Sequence, residues 1–361
     1  MEPSTSLCCG ENAAQILNSY HEFWNNAHEN GKYKGSSSGR NPAPQPASLE
    51  REHLDLLLKR DYMVSDKSDG MRYILFLTRA SGREIAVMID RKLKTYQIPV
   101  AASKSHFAGS MYDGELVNCE GSHVFLVFDC ICHKGQYMGE SNYLERLTVI
   151  RSVFDLEGTT ANSPEEAAAL AKKGKIICGG SFSGLCFKLK QCFQMKQLDT
   201  LLRQIPTLPY SVDGLVFTPV DDPIKAGNHD TLFKFKYRQT IDVEVSRDGS
   251  EILVGMGGGN PKTADERTPI SCLGYSVELD EVLAYKLKGA AGCILELLVT
   301  LEENTYWLSF MGMRTDKSHP NSVNIVLKIF QSIKENITLE EILEVAQQAA
   351  SEQDIRKACE K

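Results

Sequence analysis

The sequence predicts an α+β protein in two parts, antiparallel sheets with helices followed by a small closed barrel. Three observations predict it. Segments rich in β-branched and aromatic residues recur: RYILFLTR, EIAVMID, HVFLVFDCI, GLVFTP, LFKFKY and TIDVEVS. A helical insert, SPEEAAALAKK, interrupts them. From about Ile241 to Phe310 only strands and turns follow, and roughly 70 residues of short strands suit a barrel of the oligonucleotide-binding (OB) type.

In chain order, residues 11–30 suit an amphipathic helix with Ile16, Leu17, Tyr20 and Trp24 on one face. GKYKGSSSGRNPAPQPAS then reads as a linker or a strap over the surface. LEREHLDLLLKR, Leu49 to Arg60, has helical periodicity along Leu49, His53, Leu56 and Leu57. Ser163 is a good N-cap for the insert and Pro164 a good first helical residue. SEILVGM, SVELD, CILELLVTLEE and TYWLSFM supply the barrel strands; the run GMGGGN, Gly255 to Asn260, reads as a turn because no helix pattern follows it. Val323, Val326, Leu327 and Phe330 mark a helix, and Thr338 with Glu341 a capping box for a last one. The expected divisions are an N-terminal helix and linker (1–43), a first domain (44–238), a barrel (239–318) and closing helices (319–361).

Composition bounds the function. With 361 residues, 42% hydrophobic and 24% charged, the chain is long enough for two or three ordinary globular domains. A net charge of −7 argues against wrapping a long nucleic acid; a chain this acidic would hold only an end, in a cleft where basic residues concentrate. The 11 cysteines include no CxxC pair and suggest a reducing compartment. Cys130, Cys132 and His133, in CICH, read as strand and loop residues because no second ligand pair accompanies them. The N-terminus lacks a secretory signal, and no run of 18 apolar residues exists to enter a membrane.

The chemistry-bearing residues form an ordered set. KSDGMRY places Lys67 beside a turn at the mouth of a sheet, with Arg72 following; glycine at position 70 would tolerate positive φ. MYDGEL supplies a second turn with Asp113 and Glu115, FLVFDCI supplies Phe128 and Asp129, and SVDGLVFTP supplies Asp213 and Val216. In LFKFKY, Lys234 and Lys236 are two apart and share a strand face. TID ends on Asp242, and MRTDKSHPN places Arg314, Asp316 and Lys317 in a loop before a helix.

This order of motifs resembles the covalent nucleotidyltransferase superfamily of DNA ligases, RNA ligases and mRNA capping enzymes, from about Pro44 to the helix after Lys317. Within it the chain is most similar to capping guanylyltransferases: PQPASL resembles their strap, IDRKLKTYQI their strand pair, RTDKSHPN their last motif, and Asp213 stands where many ligases carry glutamate. One departure is Gly312, where many members carry an arginine. The resemblance implies a nucleotidyltransferase domain with ATP-grasp-like antiparallel sheets and helices, followed by an OB-fold barrel.

It also implies a reaction. Lys67 attacks the α-phosphate of GTP, releases pyrophosphate, and passes GMP to the 5′-diphosphate end of RNA. A neutral amine is the nucleophile, so the chemistry asks for neighbouring cations or low dielectric. Lys234, Lys236, Arg72 and a divalent metal (magnesium or manganese) on Asp213 would supply that field. Glu115 and Arg72 would hold the ribose, Phe128 and Val216 the base, and Lys188 would donate to the O6 of guanine. Arg314 and Lys317, with Asp316 orienting them, would reach the β- and γ-phosphates on domain closure about a hinge near residues 237–242; Asp242 would join the nucleotide contacts. No HCxxxxxR phosphatase signature occurs, so RNA triphosphatase and cap methyltransferase are expected as separate chains, with the phosphorylated tail of RNA polymerase II as a docking partner. The location expected is the nucleus, or the cytoplasm for a viral chain. The competing readings are an ATP-dependent polynucleotide ligase, which would be charged by AMP, and a non-catalytic scaffold for RNA or a partner, which Lys67 argues against.

Overall fold

The computed structural model describes residues 6–7, 11–27, 41–158, 160–161, 163–178, 185–256, 266–315 and 317–359. Asp316, the glycines at 257–259 and most of the expected linker lie outside them. The chain divides into two compact units, one made of Met1–Ala47, Asp55–Phe235 and Leu343–Lys361, the other of Ser48–Leu54 and Lys236–Ile342.

The first unit is built on two main sheets. The larger joins β1 (Ser6–Leu7), β4 (Met71–Ala80), β5 (Arg83–Ile89), β6 (Thr95–Ile98), β8 (Ser110–Cys119), β9 (Ser122–His133), β10 (Gln136–Tyr137) and β12 (Leu185–Leu189). Its order is β1-β6-β5-β4-β8-β9-β10, and β12 pairs with β9 in parallel. The second sheet joins β2 (Gln45–Ser48), β3 (Tyr62–Ser68), β13 (Phe193–Gln194), β14 (Val212–Pro219) and β15 (Asn228–Lys236) in the order β13-β3-β14-β15-β2. A small ribbon pairs β7 (Val100–Ala101) with β11 (Ile177–Cys178).

Helices α1 (Glu11–Ala27), α2 (Leu54–Lys59), α3 (Tyr143–Val153), α4 (Pro164–Lys172) and α5 (Leu198–Gln204) complete the unit. The RYILFL run is apolar at nearly every position because β4 is buried on both faces. Ile74 and Phe76 meet Ile16, Tyr20 and Trp24 of α1, each fully buried. Leu75 and Leu77 pack in the opposite core with Leu147 and Ile150 of α3. Ser163 caps α4 by accepting from the Glu166 N–H at 3.2 Å. Cys130 and Cys132 are buried strand residues, and His133 shares a 2.9 Å hydrogen bond with the Tyr112 hydroxyl.

Two expectations are corrected here. Leu49 to Arg60 does not form one helix: Arg51–His53 is a tight 3-10 turn and only Leu54–Lys59 is α-helical. Arg51 donates to Glu341 at 2.8 Å and to the Glu335 carbonyl at 2.9 Å, which ties this stretch to the second unit. MYDGEL is not a turn but the middle of β8. Its glycine serves packing: a Cβ on Gly114 would stand 2.5 Å from the Phe125 ring and 2.7 Å from the Leu126 carbonyl oxygen. Gly70 is of the same kind. Its φ is not positive, yet a Cβ there would stand 2.3 Å from the Leu116 carbonyl oxygen. Both glycines let β8 lie close against its neighbours.

The second unit carries β16 (Thr240–Val245), β17 (Ile252–Gly255), β18 (Arg267–Pro269), β19 (Ser276–Leu279), β20 (Ile294–Glu302) and β21 (Thr305–Met313), with α6 (Glu281–Leu287) and α7 (Val323–Glu335); α8 (Leu339–Cys359) begins in it. The strand path is β18-β17-β16-β20-β21-β19. Among the described residues the ladders therefore form no continuous ring. Both ends of the path nevertheless lie on one stretch of chain, Arg267–Leu279, which pairs with β17 before a 3-10 turn and with β21 in parallel after it. One broken strand thus stands where a closed OB barrel would have an unbroken one. Phe330 of α7 plugs this core, stacked on Tyr306 with ring centroids 3.9 Å apart, and Thr338 and Glu341 form the expected capping box.

Two outcomes follow. Gly70→Ala should lower unfolding stability by about 1–3 kcal/mol through overpacking, read by urea denaturation, although alanine is the better β former. The second concerns pH. His106 and His133 are both lowered to about 4, by burial first and by the Lys134 charge next. The unfolded chain then binds more protons than the fold between about pH 4 and the ordinary histidine value of about 6.5. The stability from keeping both rings neutral is present above that window and lost as pH falls through it. The urea midpoint should drop from pH 7 to pH 5, less steeply in His106→Asn.

Candidate active site

A cleft opens between the two main sheets of the first unit. On the smaller sheet, Ser65 and Lys67 project from β3, Val216 and Thr218 from β14 and Leu232 from β15. On the larger, Arg72 comes from β4, Asp113 and Glu115 from β8, and Phe128 and Asp129 from β9. Pro44 and Pro46, at the expected strap, line it too, so the PQPAS segment forms an edge strand and a wall at once.

Lys67 sits one residue from the end of β3, and its Nζ lies 2.8 Å from each oxygen of Asp213. The pairing of β14 with β3 explains the contact. Val212 faces Ser68 and Gly214 faces Lys67, so Asp213 is the extra residue of a bulge. A bulge bends the strand and re-aims the unpaired side chain. Phe128 owes its place to the same device: Gly114 faces Val127 and Asp113 faces Asp129, which leaves Phe128 unmatched in β9.

Beneath these lies a set of buried ion pairs. Arg72 donates from Nε to Asp113 Oδ1 at 2.8 Å, from Nη2 to Oδ2, and from Nη1 to the Pro44 carbonyl. Burial pushes the Asp113 carboxyl up, with Arg72 pulling it back. Burial lowers Arg72, but Asp113 outweighs it and the net shift is upward. Arg72 also stands over the Phe128 ring, 5.7 Å from its centroid. Asp129 is held by Arg146 of α3 at 2.7 and 3.1 Å. Glu115 is different: burial raises its carboxyl, opposed by the charges of Lys190, Arg72, Arg91 and Lys67 around it.

Lys188 does not reach this cleft. It lines a separate cavity with Cys119, Leu126 and Tyr210. The lysine in the cleft is Lys190, just past the end of β12, whose Nζ lies 2.6 Å from Ser68 Oγ. Lys234 does not line the cleft wall, but Leu232 does, and strand alternation puts Lys234 on that same face. Lys236 continues the alternation at the end of β15, on the second unit's side of the division.

In the second unit Arg314 and Lys317 both grip Asp242, Arg314 at 3.0 Å, and Arg314 also lies 3.8 Å from Glu296. Asn321 locks the arrangement: its side-chain oxygen accepts from the Asp242 N–H at 2.8 Å, and its own N–H donates to the Asp242 carbonyl at 2.7 Å. Asp242 thus holds two cations within the second unit. Arg314, Lys317, Arg267 and His319 line a shallow cavity of this unit.

Arg91, Arg146, Lys190 and Ser68 are cleft residues that the sequence reading did not assign. Arg91 lies in the quoted IDR motif and Ser68 in KSDG, so two of them carried a signal. Arg146 carried none beyond a helix that also supplies buried apolar residues.

Comparison with known proteins matches this geometry. The family profile "mRNA capping enzyme, catalytic domain" matches residues 14–238, which include every residue of the cleft. The profile "mRNA capping enzyme, C-terminal domain" matches residues 233–343, which include Asp242, Arg314 and Lys317. The "mRNA-capping enzyme subunit alpha" of Schizosaccharomyces pombe is 27% identical over 338 residues, 86% of this chain and 81% of its own length. The "mRNA-capping enzyme" of Danio rerio is 27% identical over 328 residues, 86% of this chain and 50% of its own. A solved structure of "mycobacterial DNA ligase D complexed with ATP and MES" aligns over 77% of this chain and 96% of its own, at 13% identity and a TM-score of 0.39, too distant to bear on the argument. With both profiles in chain order over residues 14–343, and a lysine–carboxylate pair set between two sheets in the first of them, the chain belongs to the mRNA capping enzyme family.

Proposed function

We propose that this chain is a GTP:RNA guanylyltransferase. Lys67 attacks the α-phosphate of GTP, the P–N bond forms as the bond to pyrophosphate breaks, and the lysyl-GMP then passes its GMP to the 5′-diphosphate end of RNA. The observation that carries the reading is the Lys67–Asp213 pair at the mouth of a cleft whose other walls offer sites for each part of a nucleotide.

The residues divide the work by chemistry. Val216 and the bulged Phe128 offer apolar surfaces from opposite sheets, suited to the two faces of a base. Glu115 is an acceptor for ribose hydroxyls. Arg72 spends three of its five N–H groups on Asp113 and the Pro44 carbonyl, which leaves two for the ribose. Lys190 takes the guanine role: its ammonium donates, which suits the O6 acceptor and opposes the amino group of adenine. Lys234 and Lys236 supply positive charge toward the phosphates from the β15 face. Arg314 and Lys317, freed from Asp242, would serve the outer phosphates, with Asp316 orienting them.

Magnesium or manganese fits the donor set. Among the described residues, the group of three side chains close enough to hold an ion is Glu50, Glu52 and His53, outside the cleft. Beside Lys67 stands Asp213, and a hard cation of this kind sits on one carboxylate plus substrate phosphates and water. Bound there, it would neutralise phosphate charge.

RNA enters by its end, in keeping with the net charge of −7. The phosphorylated tail of RNA polymerase II is the docking partner, and the nucleus is the place of work. Among the described residues no helix is long and apolar enough to cross a membrane.

The test is covalent charging. Purified chain with α-labelled GTP and magnesium should carry label through a denaturing gel, lose it in acid, and carry none in Lys67→Ala. Asp213→Asn should slow label formation by roughly 100-fold, the scale of losing one preorganised electrostatic partner. Label from ATP alone would make the chain a ligase-type adenylyltransferase, and no label from either would sink the enzyme reading.

A further inference from the structure

The face of β3 turned away from the cleft carries a charge with an unassigned task. Ser65 and Lys67 line the cleft, whereas Asp66, between them, lines the separate cavity on the other side with Tyr210 and Lys188. Lys190 borders both spaces. Asp66 is 2% exposed and Lys190 6%, so neither charge is held by bulk water. The Lys190 ammonium lies 3.3 Å from Asp66 Oδ2 and donates to Ser68 Oγ at 2.6 Å. The Tyr210 hydroxyl donates to Asp66 Oδ1 at 3.4 Å. Burial and then the Asp66 charge push the Tyr210 phenol well above its ordinary range, which keeps that hydroxyl a donor.

An ammonium this buried needs an opposite charge, or it sheds its proton or swings toward one. Glu115, on the cleft side, is the competing anion. Asp66 pulls Lys190 back and Ser68 fixes its height, which leaves the remaining N–H of a three-donor group for the cleft.

We propose that Asp66, braced by Tyr210, is a positioning residue for nucleotide choice: it keeps Lys190 aimed at the 6-oxo group of guanine without touching the nucleotide. This rests on the guanylyltransferase reading and adds to it the group that holds the base-reading lysine. Loss of Asp66 releases Lys190 toward Glu115 and removes the donor that distinguishes an oxo group from an amino group, while Lys67, Asp213 and the phosphate-facing cations stay in place.

The experiment compares lysyl-nucleotide formation from GTP, ATP and the triphosphate of 2-aminopurine riboside, which lacks O6. Asp66→Asn should lower kcat/KM for GTP at least about tenfold, chiefly through KM, and leave the 2-aminopurine nucleotide within about twofold, because a lost hydrogen bond counts only where the substrate can accept it. The GTP-to-ATP ratio should fall with it. Tyr210→Phe, which removes one hydroxyl, should move the ratio the same way by about threefold, less than Asp66→Asn because the 3.4 Å bond to the carboxylate is long and acts on Lys190 only through Asp66. If Asp66→Asn does not fold, as judged by thermal melting, Tyr210→Phe decides. Equal losses for all three nucleotides, or an unchanged GTP-to-ATP ratio in the folded variants, overturn the proposal. No label from GTP in the wild-type chain overturns the guanylyltransferase reading and the positioning role together.

Discussion

Charge buried between two sheets has to be paired, and this constraint shapes the first unit. Removing a carboxylate or guanidinium from water costs several kcal/mol, which attraction repays only with good geometry and filled hydrogen bonds. The unit answers with pairs: Arg72 with Asp113, Arg146 with Asp129 and Lys190 with Asp66, and at its more exposed edge Lys67 with Asp213. The pairs come from different strands or from a strand and a helix, so each also ties two elements together. Gly70 and Gly114 permit the close strand approach around Arg72 and Asp113. The two bulges then turn Asp213 toward Lys67 and Phe128 into the cleft.

The second unit follows the same rule on a smaller scale. Asp242, 9% exposed at the side chain, is the anion under two cations, and Asn321 satisfies its backbone on both sides. The sheet path begins and ends on the Arg267–Leu279 stretch, so chain connectivity supplies the closure that a last ladder would supply in a regular barrel.

The parts legible in the sequence were those set by local pattern. The α1 stripe of Ile16, Tyr20 and Trp24, the Ser163 cap, the Thr338–Glu341 box and the barrel strands all follow from periodicity and capping chemistry. What was not legible depended on register. Lys188 and Lys190 share strand parity, and choosing between them needs the point where β12 stops against β9, after Leu189 opposite Val127. YDGEL looks like a turn until the Phe125 ring, which demands the glycine, is seen on the neighbouring strand. Arg146 is a charged residue on a helix and becomes informative only when Asp129 is known to be buried beside it. The Leu49 to Arg60 helix failed because Arg51 takes partners nearly 300 residues away (separations of 284 and 290), which no local window contains.

Pairing also bears on how the proposed reaction would turn over. Because several cations of the cleft are already paired with acids, binding a nucleotide there would involve exchange of partners at short range. The Lys67–Asp213 pair is the exchange that matters. While it stands, the Lys67 Nζ is held by both oxygens of Asp213 and is not turned toward an incoming phosphate. Forming the P–N bond would take Lys67 away from Asp213 and leave that carboxylate to the divalent cation proposed for it. On the proposed reading, the RNA diphosphate end would then be met by cations outside the pair, and Lys234 and Lys236 on the β15 face are the candidates.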